Sequence, residues 1–210
     1  MNYIENIYVC LAVPLLIAAI CSLRKTRQLF LFFLAGMTAC LLSSYISTFL
    51  AASAGAGQLA ATLTITPPVE EFMKLFPFLF YLLVFEPKKE QVSGCMLMIA
   101  AGFATFENVC YLTQNGASSL LHLLIRGFGA GAMHVACGAI LAGGMILLWD
   151  RIWLRLAGAV GLLSVAITYH GIYNILVSQQ GAAAIVGYLF PVVSVAAGVI
   201  LIRRLSLLPR

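Results

Sequence analysis

Of the 210 residues, 62% are apolar and only 9% are charged, and the mean hydropathy is +1.03, whereas soluble domains run near half apolar and a quarter charged. Such a composition excludes a soluble globular domain, and it makes lipid the solvent of an integral membrane protein. The net charge of +5 does not describe a nucleic-acid surface, because the basic residues are spread over short loops and form no single patch.

A helix needs about 20 apolar residues to cross a bilayer. In chain order the candidate spans are 5–23, 29–50, 59–85, 91–112, 120–149, 156–177 and 182–202, seven in all. The first lacks a basic leading segment, carries Glu5 and is followed by Arg24, Lys25 and Arg27, so it reads as a retained span with a stop-transfer flank. In the third, Pro67 and Pro68 are expected to break the run, leaving a helix from about Pro68 to Phe85 that Pro77 bends. Arg126 interrupts the fifth and reads as a snorkelling anchor. Asn108 reads as a structural hydrogen-bonding group, and His122 and Asp150 as interface residues. The six cysteines, Cys10, Cys21, Cys40, Cys95, Cys110 and Cys137, fall within spans without a C-x-x-C pair, so they read as small packing residues.

The loops carry the orientation. Arg24, Lys25 and Arg27 follow the first span, Lys88 and Lys89 the third, Arg151 and Arg155 the fifth, and Arg203, Arg204 and Arg210 the last. The intervening loops "AASAGAG", "TQNGASS" and "SQQGAAA" hold no Lys or Arg. Cytoplasmic loops are the basic ones, so the N-terminus is expected outside and the C-terminus in the cytoplasm. The expected fold is an all-α polytopic membrane helical bundle of about seven transmembrane helices, a single domain over 1–210. Lys74 and Arg126, the two basic residues outside this alternation, are the ones embedded in spans.

An ionisable side chain at the centre of a membrane helix costs about 2.5–3.5 kcal/mol on insertion scales, so such groups usually face the bundle interior and serve a pathway or a site. Here they are Glu70, Glu71 and Lys74 in the third span, Glu107 in the fourth, His134 in the fifth, and His170 with Asn174 in the sixth. Counted from the expected span ends at 1.5 Å per residue, the acids and imidazoles lie roughly 5–12 Å below the outer surface. Four helices thus bring them to one layer. Phe103, Glu107 and Tyr111 share a helix face, as do His170 and Asn174. Ala130, Gly138 and Ala142 flank His134 with small side chains that allow close helix approach, so His134 is expected to face another helix. Glu70 and Lys74, four residues apart, are expected to form an ion pair.

Carboxylates and imidazoles in a partly wet membrane cavity suit peptide hydrolysis. A carboxylate takes a proton from water, and either a metal held by His and Glu or a His/Asn pair stabilises the oxyanion. Neutral imidazoles with a carboxylate also suit zinc, with one position left for water. Glu107, His134 and His170 are candidate ligands for such a divalent ion, and a metal-free mechanism is the alternative.

The motifs "EEFMK" (Glu70, Glu71, Lys74), "FATFE" (Phe103, Glu107) followed by Asn108 and Tyr111, a histidine in a small-residue helix (His134), and "HGIYN" (His170, Asn174) stand in this order between residues 67 and 174. The arrangement resembles PrsW-type intramembrane proteases, and more distantly the CAAX prenyl-protease and bacteriocin-processing membrane enzymes. The resemblance implies a core of eight or fewer helices with the site between four of them. It implies cleavage of a single-pass membrane protein, typically an anti-sigma factor, on its extracytoplasmic side, by an enzyme of the bacterial cytoplasmic membrane surrounded by membrane lipids. It gives Glu70 the role of base and Glu71 that of its partner, sets Glu107 where the prenyl-protease relatives have histidine, and puts His170 and Asn174 on the oxyanion. The family has been described both as metalloprotease and as metal-free glutamic protease. With only helices and short loops expected, substrate selection falls to them. Two readings of another class stand beside this one: a proton-coupled transporter, which normally shows an internal repeat that this sequence lacks, and a non-catalytic scaffold or immunity protein of the same fold.

Overall fold

The computed structural model describes residues 4–116, 119–148 and 152–206. Asp150, Arg151 and Arg210, to which the sequence reading gave interface and orientation roles, lie outside the described residues. A backbone surrounded by hydrocarbon must satisfy its own polar groups, and the described residues form helices joined by short turns. In order these are α1 (Ile4–Cys21), α2 (Arg24–Ser53), α3 (Gln58–Thr64), α4 (Thr66–Phe85), α5 (Lys89–Asn115), α6 (Leu120–Leu148), α7 (Ile152–Val177) and α8 (Ala182–Ser206).

Six of them, all but α3 and α4, are long and apolar enough to cross a membrane. The expected span 59–85 is two helices. The chain breaks at Ile65, and Pro67 and Pro68 enter the first turn of α4, where an amide hydrogen has no intrahelical acceptor and its absence costs nothing. α4 has 20 residues, enough length for a span, but Glu70, Glu71 and Lys74 set it apart from the six apolar helices.

Close backbone approach joins α2 to α5. A Cβ on Gly36 would overlap the carbonyl of Ile99, and one on Gly102 would overlap the carbonyl of Phe33. These reciprocal contacts leave no room for any side chain, which is how small residues hold membrane helices together when no hydrophobic force separates protein from lipid. α6 approaches α5 at Gly138, where a Cβ would lie 3.0 Å from that of Ala100, one turn after His134. Apolar clusters adjoin the polar residues. Leu75, Phe78, Met96, Ile99, Cys137 and Leu141 pack α4, α5 and α6 together, and Met37, Cys40, Phe103 and Phe106 pack α2 on α5. Outward-facing residues such as Ile17, Phe72, Phe76, Phe80 and Val193 are exposed apolar side chains. The bundle is therefore greasy outside and charged at its centre.

Candidate active site

α4, α5, α6 and α7 each deliver side chains to one buried cluster. α4 supplies two of the most buried groups, because Glu71 and Lys74 lie on the same face as Leu75 and Phe78, all of which point inward. Glu71, Lys74 and His134 have no exposed surface and His170 is 3% exposed. Burial this complete is sustained only if each charge has a partner.

The partners form one continuous chain. Lys74 Nζ donates to Glu71 Oε1 at 2.7 Å and meets His134 Nδ1 at 2.9 Å. His134 Nε2 meets Glu107 Oε2 at 2.6 Å, and Arg126 Nη2 donates to Glu107 Oε1 at 3.0 Å. On the other side, His170 Nδ1 meets Glu71 Oε1 at 2.7 Å, and its Nε2 stands 3.8 Å from Glu70 Oε2. An ionised carboxylate only accepts, so His170 carries its proton on Nδ1 and turns an Nε2 lone pair toward Glu70. That 3.8 Å separation exceeds a direct hydrogen bond and is of the kind a water bridges. Phe103 forms the apolar wall: its ring lies 4.9 Å from Lys74 Nζ and 4.9 Å from the His134 ring. The two imidazoles stand edge to face at 5.3 Å.

Charge bookkeeping points to Glu70. Lys74 and Arg126 balance two of the three carboxylates Glu70, Glu71 and Glu107. The remaining negative charge calls for a proton or a further cation. Glu71 Oε2 is also buried, without a hydrogen-bond partner among the described residues.

The sequence expectations meet this geometry unevenly. Of the acids and imidazoles expected in one layer, Glu71, Glu107, His134 and His170 are joined by direct contacts through Lys74, and Glu70 stands 3.8 Å from His170; His134 faces its neighbouring helices. Lys74, however, pairs with Glu71, three residues away, and not with Glu70 as expected. Both spacings bring side chains together on a helix, and the deciding factor is burial: Glu71 shares the interior face with Lys74, whereas Glu70 sits at the edge with 12% of its side chain exposed. Asn174 shares a face with His170 but donates to the carbonyl of Thr62 at 3.0 Å, tying α7 to α3. Arg126 is not a snorkelling anchor. It bonds to Glu107 and to Asn108 Oδ1 and lies over the Tyr111 ring at 3.8 Å. A signal for it existed: Glu107 needed a cation at its own depth, and Arg126 was one of the two basic residues embedded in spans.

Glu70, His134 and His170 each offer one ligand atom, and these atoms lie within 4.8 Å of one another. Two imidazoles and a carboxylate are a donor set that catalytic zinc uses, with an open fourth position, so the residues fit a divalent ion. Glu70 stands in this group where the sequence reading had Glu107. Glu107 instead accepts from the far nitrogen of His134, as a carboxylate does behind a metal-bound histidine.

Comparison with curated proteins gives no match, and comparison with solved structures gives none either. Comparison with protein families gives one: residues 24–201 match the family described as PrsW family intramembrane metalloprotease. The match takes in all four helices that build the buried cluster, and the chain belongs to this family of intramembrane proteases.

Proposed function

We propose that this intramembrane protease hydrolyses a peptide bond of a single-pass membrane protein near its extracytoplasmic side, as in the cleavage of an anti-sigma factor. The observation that carries the reading is the buried chain from Arg126 to Glu70, which gathers three carboxylates and two imidazoles from four helices. In this reading α4 completes seven spans, with the N-terminus outside and the C-terminus in the cytoplasm, and the catalytic core covers about 67–174.

Glu70 is the base. Among the described residues it is the one of the three carboxylates without a cation, it is partly exposed where Glu71 is wholly buried, and it faces a histidine lone pair across a gap of water size. Glu71 holds His170 by Nδ1 and thereby aims Nε2 at that gap, where the imidazole can take the proton from Glu70 and pass it to the departing amine. Glu107 holds His134 in the same way. Asn174 serves the oxyanion only by exchanging its bond to Thr62, so its resting role is to fix α7. In the alternative to this relay, a divalent ion such as zinc would take up the Glu70 carboxylate and the imidazoles of His134 and His170, and would itself supply Lewis-acid polarisation of the carbonyl and a more acidic bound water. An apolar groove of about 430 Å³ lies beside the site, between Ile46 of α2, Val69, Phe72 and Met73 of α4, and Leu163 and Ile167 of α7. Its lining alternates with Glu70 and Glu71 along α4, which suits a substrate helix arriving from lipid.

The test is reconstitution of the purified protein with a tagged single-pass substrate. The expected outcome is a discrete product with the wild type and its loss in Glu70→Ala, with the elution profile and melting temperature of the variant unchanged. Undiminished cleavage by a folded Glu70→Ala variant would remove Glu70 from the mechanism, and absence of any product from a panel of single-pass substrates would remove the substrate class.

A further inference from the structure

Both ring nitrogens of His134 are occupied. Nε2 meets Glu107 Oε2 at 2.6 Å and Nδ1 meets Lys74 Nζ at 2.9 Å. Lys74 is an ion-paired ammonium, 2.7 Å from Glu71 Oε1 and wholly buried. An ammonium has donors and no acceptor, so Nδ1 is the bare nitrogen of His134 and Nε2 carries the ring proton toward Glu107.

This arrangement conflicts with ligation. A neutral imidazole binds a cation through one nitrogen and keeps its proton on the other. If His134 ligated through Nδ1, the lone pair that Lys74 uses would be consumed. If it ligated through Nε2, the proton would move to Nδ1 and face an ammonium unable to accept it. In either case the Lys74 bond to His134 and ligation by His134 exclude each other. Glu71 supplies the place for Lys74 to go: its Oε2 is buried and has no hydrogen-bond partner among the described residues, on the same carboxylate that Lys74 already touches.

We propose that Lys74 and a divalent cation compete for His134, with the ammonium holding the histidine in the metal-free protein and turning to Glu71 Oε2 when a metal binds. This rests on the metal reading of the site and adds a resident competitor to it. Metal loading is then set by the position of one lysine, and metal-free protein keeps an ordered site because Lys74 fills the same electrostatic role.

The experiment is zinc binding by detergent-purified, chelator-stripped protein, read by competition with a fluorescent chelator. Lys74→Met, which keeps the length and removes the cation, is expected to bind zinc about 5- to 150-fold more tightly than wild type, the usual range for linkage between two ligands. Lys74→Arg keeps the cation and is expected to show no such gain. Equal zinc affinity in wild type and Lys74→Met, or no zinc bound by either, overturns the proposal. If Lys74→Met does not fold, nitrogen-15 NMR of His134 in the wild-type protein decides. A hydrogen bond from Lys74 to Nδ1 that disappears when zinc is added supports competition, and one that persists with zinc bound overturns it. Since neither readout involves cleavage, a protein that binds zinc in this way but cuts no peptide would sink the proposed function and leave the competition standing.

Discussion

The inner and outer halves of the buried charge chain contain ion pairs of nearly equal length and different character. Lys74 and Glu71 meet at 2.7 Å with both side chains wholly buried. Arg126 and Glu107 meet at 3.0 Å with 13% and 27% of their side chains exposed. Distance alone would rate them alike. Burial separates them, since loss of one partner strands a desolvated charge in the inner pair, whereas in the outer pair the survivor can be hydrated or take another contact.

The largest loss is expected from the inner pair. Glu71→Ala leaves Lys74 without its carboxylate and His170 without its Nδ1 partner, and is expected to destabilise the bundle by about 3–5 kcal/mol, read as reversible unfolding in mixed micelles. A cost near that of a surface pair would mean that water reaches Lys74. The scaffold between the halves comes next. Gly102→Leu drives a side chain into the backbone of α2 one residue before Phe103, and is expected to cost about 1–3 kcal/mol or more and to lower activity by displacing the helix that carries Glu107. The outer half should be gentler: Arg126→Ala is expected to cost about 1 kcal/mol, with more cleavage activity retained in Arg126→Lys than in Arg126→Ala. Equal losses from Arg126→Ala and Glu71→Ala would erase the distinction between the halves. The smallest effect is expected for His122→Ala, which removes an exposed contact to Tyr111 Oη at 3.2 Å and should leave cleavage and melting temperature unchanged.

Much of this is legible in the sequence. The runs of apolar residues located the long helices to within a few positions, because the length needed to cross hydrocarbon is set by the bilayer. The paired prolines placed the break before α4, since a residue without an amide hydrogen fits a first turn and little else in a helix. The insertion cost of ionisable groups singled out Glu70, Glu71, Lys74, Glu107, His134 and His170 as interior residues. What could not be read was the pairing. Lys74 reaches residues three and four positions away equally well, so the choice of Glu71 over Glu70 waited on which carboxylate the other helices cover. Arg126 reads as an anchor in the linear chain and is the partner of Glu107 because α6 lies against α5. Asn174 shares the face of His170, yet a carbonyl in α3, far away along the chain, takes its amide.

From its residues alone the chain determined that it lives in lipid, where its long helices lie and which polar groups turn away from hydrocarbon, because each of these follows from local spacing and from the cost of dissolving a group in a membrane. Tertiary structure decided who meets whom: that Lys74 bridges Glu71 and His134, that Glu70 is left facing the open nitrogen of His170, and that Arg126 closes the row. Contacts between helices depend on their rotation and depth relative to one another, and no spacing within a single helix encodes those.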